Sequence, residues 1–270
     1  VIKIEYKGIS YEVEEHRVCL VAGAGELWDD VVCDAVEKNF WGLENLSLIP
    51  GTIGGAAVQN IGAYGAEAKD SIVWVEVLDT ETHEIRKIFN TECEFGYRES
   101  IFKKNKNLII VRVAFTVSHN REARIGYEDV KRYFAQHEII VPALIDIRNA
   151  IIAIRTMKMP ASSLGTAGSF FKNPVVSTHD FEHLKNMFPD IKVFPNPPSS
   201  IKLSAAWLID KVGGFRGVRR GEVGVHTEQA LIIVNHGTAS TDDVSLLAHD
   251  IQKVIKEKTG VLLEEEVVMM

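Results

Sequence analysis

Residues 50–65 read Pro-Gly-Thr-Ile-Gly-Gly-Ala-Ala-Val-Gln-Asn-Ile-Gly-Ala-Tyr-Gly, with five glycines, three alanines and no charge. A stretch so poor in large side chains builds no core of its own. What it offers is backbone, because glycine lacks a Cβ, reaches conformations closed to other residues and lets a partner approach closely. Leu46-Ser47-Leu48-Ile49 on one side and Glu67 on the other place the run inside a folded domain, not in a linker. Two readings stand side by side: a bed for a cofactor or nucleotide, or a set of tight turns and close strand crossings.

The bulk numbers narrow the function classes. The 270 residues are 46% hydrophobic and 25% charged, an ordinary globular composition with room for one large or two ordinary domains. A net charge of -7 argues against a nucleic-acid binder. Cys19, Cys33 and Cys93 lack metal-like spacing, and an odd, sparse count suits a reducing compartment, so a cytoplasmic location is expected. No apolar run approaches the ~20 residues that cross a bilayer. Val1-Ile2-Lys3-Ile4 reads as the middle of a strand, as in a piece of a longer chain.

The first half reads mainly as strands and turns. Residues 2–14 and 17–22 alternate loosely, 27–38 has helical spacing, and Ile72 to Leu78 and Val111 to Val117 are strands. The second half changes character. Leu144 to Lys158 is a helix ended by Pro160, 161–169 a small-residue loop, His179 to Phe188 a helix, and Asn196 to Ser200 a turn. A further helix covers Ala205 to Val212, a buried strand Ala230 to Val234, and a long helix capped by Thr241 ends at Gly260. A domain boundary is expected near 118–126.

Several polar residues sit in small or aromatic surroundings. In Gly96-Tyr97-Arg98-Glu99-Ser100, Arg98 can grip a carboxylate through two parallel hydrogen bonds, or form a surface ion pair. In Gly168-Ser169-Phe170-Phe171-Lys172-Asn173, Ser169 follows a glycine and precedes two aromatics that exclude water; Lys172 and Asn173 suit a phosphate or sugar. The plainer reading is a strand start with a capping serine. Glu264, Glu265 and Glu266 lie between apolar segments; on a strand, Glu265 faces one way and its neighbours the other. An inward carboxylate there needs a cationic or hydrogen-bonding partner, whereas an acidic tail in solvent needs none. No histidine cluster suggests a metal, Gly23-x-Gly25 lacks the rest of a dinucleotide fingerprint, and neither a hydrolase elbow nor a Walker A motif is present.

Taken in order, these segments resemble the UDP-N-acetylenolpyruvoylglucosamine reductase family, in its first structural type. The resemblance runs through Gly42 to Asn45, Ile49 to Gly54, Gln59 to Gly65, Phe95 to Lys103, Ala167 to Pro174, Lys202 to Asp210, His226 to Leu231 and Leu263 to Val267. It implies an α+β fold: an FAD-binding domain of the vanillyl-alcohol-oxidase type, its first part missing, and a substrate-binding domain. Residues 1–118 would form the first, 119–260 the second, and 261–270 would return to the flavin side. It also implies a monomeric, FAD-containing oxidoreductase of peptidoglycan precursor synthesis. NADPH would be the hydride donor and UDP-N-acetylenolpyruvoylglucosamine the substrate, with no nucleic-acid or membrane partner.

By the same resemblance, Arg98, Ser169 and Glu266 are the catalytic set, gathered around one carbon of the substrate. Ser169 would be the proton donor, with Arg98 and Glu266 acting at the carboxylate. Pro50, Gly51, Gly54, Gly55, Asn60 and Gly62 would contact the flavin, and Tyr127, Lys158, Asn173 and Gln229 the nucleotide sugar. The chain departs from the family in three places. No Gly-x-Gly-Ser-Asn diphosphate loop occurs, Glu265 stands where proline is usual, and Val268 where arginine is usual. The alternatives are a nucleotide-sugar-binding module or fragment without flavin, or another flavin oxidoreductase sharing the glycine bed.

Overall fold

The computed structural model describes residues 3–14, 17–120, 123–161, 163–194 and 199–269. The chain divides into two compact units, Val1–Met157 and Lys158–Met270.

The first unit is organised by a five-stranded sheet in the order Ile9–Glu14, Arg17–Gly23, Leu108–Val117, Ile72–Asp79, Glu84–Phe89, every neighbouring pair antiparallel. Successive side chains of a strand point to opposite faces. Leu20 and Ala22 therefore join Val75, Val113 and Phe115 in the main core, while Cys19 and Val21 pack with Trp74 and Ala114 on the other side. Helix Trp28–Glu37 covers the main core with Trp28, Val31, Val32 and Ala35. Helix Ile53–Gln59 is the centre of the glycine-rich run. Thr52 caps its start by accepting from the Gly55 N–H at 3.3 Å, and Asn60 ends it in the left-handed region at φ 42°.

Two more helices, Glu128–Gln136 and Leu144–Lys158, build a cluster of Val130, Phe134, Ile147, Ala150, Ile151 and Ile154, with Trp41 and Tyr64 packed against it. Arg148 donates to both carboxylate oxygens of Asp29, at 2.8 and 2.9 Å. The compact units divide at Met157–Lys158, and this helix pair, which follows the boundary expected near 118–126, packs within the first unit. Sequence marks Leu144 to Lys158 as a helix but not which core receives its apolar face, and helix Glu128–Gln136 is not read from sequence.

The second unit holds a four-stranded sheet (Arg219–Arg220, Val223–Val225, Ile232–Asn235, Gly165–Ser169) and a three-stranded one (Val193–Phe194, Ser200–Leu203, Val175–Ser177). Helix Thr241–Thr259 buries Leu247, Ala248, Ile251 and Ile255 in this unit's core. Four local expectations change. Residues 165–169 are a strand, since Ile232 and Asn235 supply its ladder partners. The cap of the long helix is Ser240, whose hydroxyl accepts from the Asp243 N–H at 3.2 Å, so Thr241 is the first helical residue. Leu208–Val212 continues helix Ala205–Trp207 as a π-helical turn. Lys3 and Ile4 lie outside any strand, while Val1 and Ile2, and residues 196–198 of the turn expected at 196–200, fall outside the described residues; Ser200 begins a strand.

Candidate active site

In the first unit, the site residues are organised by left-handed backbone. Arg98 has φ 57°, within a tight turn closed by Gly96 N–H to Glu99 C=O at 2.9 Å and Glu99 N–H to Gly96 C=O at 3.3 Å. Its guanidinium Nη2 donates to the Gly62 carbonyl at 2.6 Å and Nη1 to the Asn60 carbonyl at 3.4 Å. Glu67 stands 3.9 Å away, and the Tyr97 ring lies 5.0 Å beneath the guanidinium. The Arg98 carbonyl accepts from Lys103 Nζ at 2.8 Å, and the buried Ser100 hydroxyl donates to Val58 at 2.7 Å. Gly62 is required by this contact: a Cβ there would lie 2.8 Å from Arg98 Nη1 and 3.0 Å from the Ala66 carbonyl.

The predicted flavin contacts divide. Pro50, Gly51 and Gly55 are exposed, and at Gly51 (φ 115°) a Cβ would meet nothing within 4 Å, so bare backbone faces open space. Such an open cradle fits a large flat group such as a flavin. Gly54 packs against Ala24, 3.1 Å from where its Cβ would be, and its N–H donates to the Ala24 carbonyl at 2.9 Å. Asn60 lies beneath this surface. It is fully buried, and its amide is spent on Gly96 (2.7 Å), Glu67 (3.2 Å) and the Lys69 N–H (3.0 Å).

Tyr127, which precedes helix Glu128–Gln136, meets Tyr64 edge to face at 5.3 Å. Tyr64 has φ 48° and hydrogen-bonds Arg155, whose Nε donates to the carbonyl of Leu48 (φ 60°) at 3.2 Å. Arg155 thereby ties Leu48, just before the glycine-rich run, to Tyr64 near its end. Burial pushes the Tyr64 phenol up to about 12 and raises Tyr127 as well, while the Arg155 guanidinium is lowered by the same cause. Nothing in the local sequence announced Arg155 as part of this group; only its spacing of one helical turn from buried Ile151 hinted that it borders a core.

In the second unit, a central strand segment positions the chemistry. Ser169 ends strand Gly165–Ser169 opposite Ile232 and is exposed, next to Gly168 at φ 80° with open space on its Cβ side. Phe170 N–H donates to the Leu231 carbonyl at 2.8 Å on one edge. On the other, Glu266 N–H donates to the Phe170 carbonyl and Lys172 N–H to the Glu264 carbonyl, both at 2.8 Å. Phe170 and Phe171 are buried, so the aromatics anchor the strand that presents Ser169. The bridge between Phe171 and Glu265 leaves the Glu265 N–H out of the ladder, so a glutamate in place of the usual proline keeps the Glu266 contact. The predicted third segment, 261–270, accordingly pairs inside the second unit.

Glu264, exposed on this stretch, accepts from Lys172 Nζ at 2.6 Å. Asn173 Oδ1 accepts from the Ala205 N–H at 2.9 Å, and Gln229 accepts from the Ile232 N–H through its carbonyl at 3.0 Å. Lys158 closes helix Leu144–Lys158. The second unit thus brings Ser169, Glu266 and the Gln229 turn onto neighbouring strand segments, while Arg98, the glycines and Tyr127 belong to the first. Among the described residues there is no group of three or more His, Cys, Asp and Glu side chains suited to a metal, and no helix long and apolar enough to cross a membrane.

Comparison with known proteins gives this architecture its class. Residues 1–88 match the FAD binding domain family and residues 159–270 the C-terminal domain of UDP-N-acetylenolpyruvoylglucosamine reductase, which defines a two-part α+β flavoprotein oxidoreductase. The UDP-N-acetylenolpyruvoylglucosamine reductase of Flavobacterium johnsoniae is 42% identical over 272 residues, covering 99% of this chain and 80% of the relative. That of Pseudomonas aeruginosa is 43% identical over 251 residues, covering 92% of this chain and 74% of the relative. The crystal structure of the Thermus caldophilus enzyme superposes with a TM-score of 0.62 at 26% identity, covering 92% of this chain and 71% of that one. The chain belongs to the UDP-N-acetylenolpyruvoylglucosamine reductase family.

Proposed function

We propose that this protein reduces UDP-N-acetylenolpyruvoylglucosamine to UDP-N-acetylmuramate at the expense of NADPH, as a cytoplasmic monomer. The observation that carries the reading is the exposed Ser169 held beside Glu266 on a ladder anchored by buried Phe170 and Phe171, in a chain of this family. FAD, when bound, supplies a two-electron relay between NADPH and the enolpyruvyl group. Pro50, Gly51, Gly54, Gly55 and Gly62 form its bed through backbone, and Asn60 supports that bed from beneath.

Hydride reaching the β-carbon of the enol ether leaves negative charge on the α-carbon and its carboxylate. Arg98 meets that charge with a guanidinium already oriented by Gly62 and Asn60, so no reorganisation is needed as the charge develops. Ser169 Oγ donates the proton that completes the α-carbon. A hydroxyl is a weak acid, but an enolate is a strong base, and positioning suffices. Glu266 polarises the substrate carboxylate or shares the proton. Tyr127, Lys158, Asn173 and Gln229 hold the nucleotide sugar, with Tyr127 braced by Tyr64.

The two half-reactions separate the claims. A yellow preparation bleached by NADPH and recoloured by the enolpyruvyl nucleotide supports the reductase. A colourless protein that still binds the nucleotide supports a binding module instead. In rapid-mixing experiments, Ser169→Ala should leave bleaching by NADPH nearly intact and block recolouring. Equal loss in both would contradict the proton-donor role.

A further inference from the structure

Asn60 is a buried polar residue within the glycine-rich run. It is 0% exposed, sits at φ 42° as the residue that ends helix Ile53–Gln59, and uses its whole amide internally. Nδ2 donates to the Gly96 carbonyl at 2.7 Å and to Glu67 Oε2 at 3.2 Å, and Oδ1 accepts from the Lys69 N–H at 3.0 Å. Its own carbonyl accepts from Arg98 Nη1 at 3.4 Å. The partners are not arbitrary. Gly96 opens the four-residue turn that carries Arg98, and Glu67 is the carboxylate beside the same guanidinium.

We propose that Asn60 is a positioning residue for Arg98, holding both ends of that side chain at once. Through Gly96 it sets the turn from which Arg98 departs. Through Glu67 and its own carbonyl it sets where the guanidinium ends. The left-handed backbone at position 60 and the amide are separate requirements. Glycine satisfies the first at little cost, as asparagine does, and supplies nothing for the second. The assignment rests on the proposed role of Arg98 at the substrate carboxylate, and it is specific to the substrate half-reaction.

The test uses full-length flavin-loaded protein. Asn60→Gly keeps the helix end and deletes the amide. It should slow recolouring by UDP-N-acetylenolpyruvoylglucosamine about 10²-fold more than it slows bleaching by NADPH, the scale for a reacting group misplaced by an ångström. It should also raise the nucleotide's dissociation constant, measured by calorimetry without NADPH. Wild-type values in both half-reactions would overturn the proposal and leave Asn60 a helix end only. Equal loss in both would overturn it in favour of general support. Should Asn60→Gly not fold, Glu67→Gln carries the test, because it removes the charge beside Arg98 while retaining an acceptor for Asn60. Slower recolouring with normal bleaching is expected, and an unchanged ratio of the two rates overturns the assignment. Failure of the wild-type protein to recolour with the nucleotide would instead sink the functional reading, and this inference with it.

Discussion

The two units solve the problem of presenting a polar group in opposite ways. In the first, Arg98 is held by irregular backbone: it and Asn60 both have positive φ, as do Tyr64 and Leu48 in the same unit, and its guanidinium is bound to carbonyls at 2.6 and 3.4 Å. In the second, Ser169 is presented by strand pairing with Ile232, beside a shift in the ladder register and Gly168 at φ 80°, and it is exposed at the strand end. A cation that must meet developing charge benefits from being fixed before the reaction. A hydroxyl that gives up a proton needs reach and correct aim, which a strand end next to an open glycine provides. The difference predicts that small backbone-directed changes harm the first region more, and side-chain deletions the second.

Ser169→Ala offers the sharpest break. It removes only the hydroxyl from an intact ladder, so the substrate half-reaction should fall on the order of 10²–10⁴-fold with unchanged thermal stability. A stability loss of comparable weight would show that the strand end is not the simple platform described. Gly62→Ala comes next. The new methyl would sit 2.8 Å from Arg98 Nη1, whose flexible end must yield, and a fall of about 10²-fold is expected for the same half-reaction. Wild-type turnover in this variant would mean that the guanidinium does not need its seat on the glycine carbonyl.

A smaller change should follow Tyr127→Phe. The ring contact with Tyr64 survives and only the hydroxyl is lost, so the nucleotide's dissociation constant should rise by about tenfold, the equivalent of one hydrogen bond. Flavin reduction should not move. Titration calorimetry showing unaltered affinity would remove Tyr127 from the binding set.

The smallest effect concerns stability alone. Burial works to raise the Asp29 carboxyl, but the Arg148 hydrogen bonds, the Leu48 N–H and the charges of Arg148 and Arg155 outweigh it, and the net shift is downward. A carboxyl depressed on folding adds stability that is full above its ordinary pKa, near ~4, and is lost as the pH falls through its folded value. Arg148→Met should therefore cost about 1–3 kcal/mol at pH 7, by urea unfolding, and distinctly less at pH 3. An equal cost at both values would mean that packing, not charge, is what Arg148 contributes.

Much of this was legible in the chain. Helix Leu144–Lys158 and the strands at 72–79 and 108–117 announce themselves through period and β-branched content, and the motif order around Arg98, Ser169 and Glu266 carried the family. The strand at 165–169 was not legible, because Gly-Thr-Ala-Gly-Ser has no strand preference of its own. It is extended because Ile232–Asn235 offers it hydrogen-bond partners. Nor could sequence tell that Asn60 faces inward or that Arg155 reaches Leu48 and Tyr64, since polar residues in a glycine-rich loop or on a helix are equally at home in water.

Residue order by itself settled which segments are strand or helix wherever apolar spacing is strong, and it settled the family. Tertiary structure alone decided the domain boundary, the pairing of Glu266 with Phe170, the Lys172–Glu264 ion pair and the burial of Asn60. The physical reason is that periodicity is a local property of the chain. A ladder partner, an ion-pair partner and the side of a surface on which an amide ends depend on residues far away in sequence, which only packing brings within 3 Å.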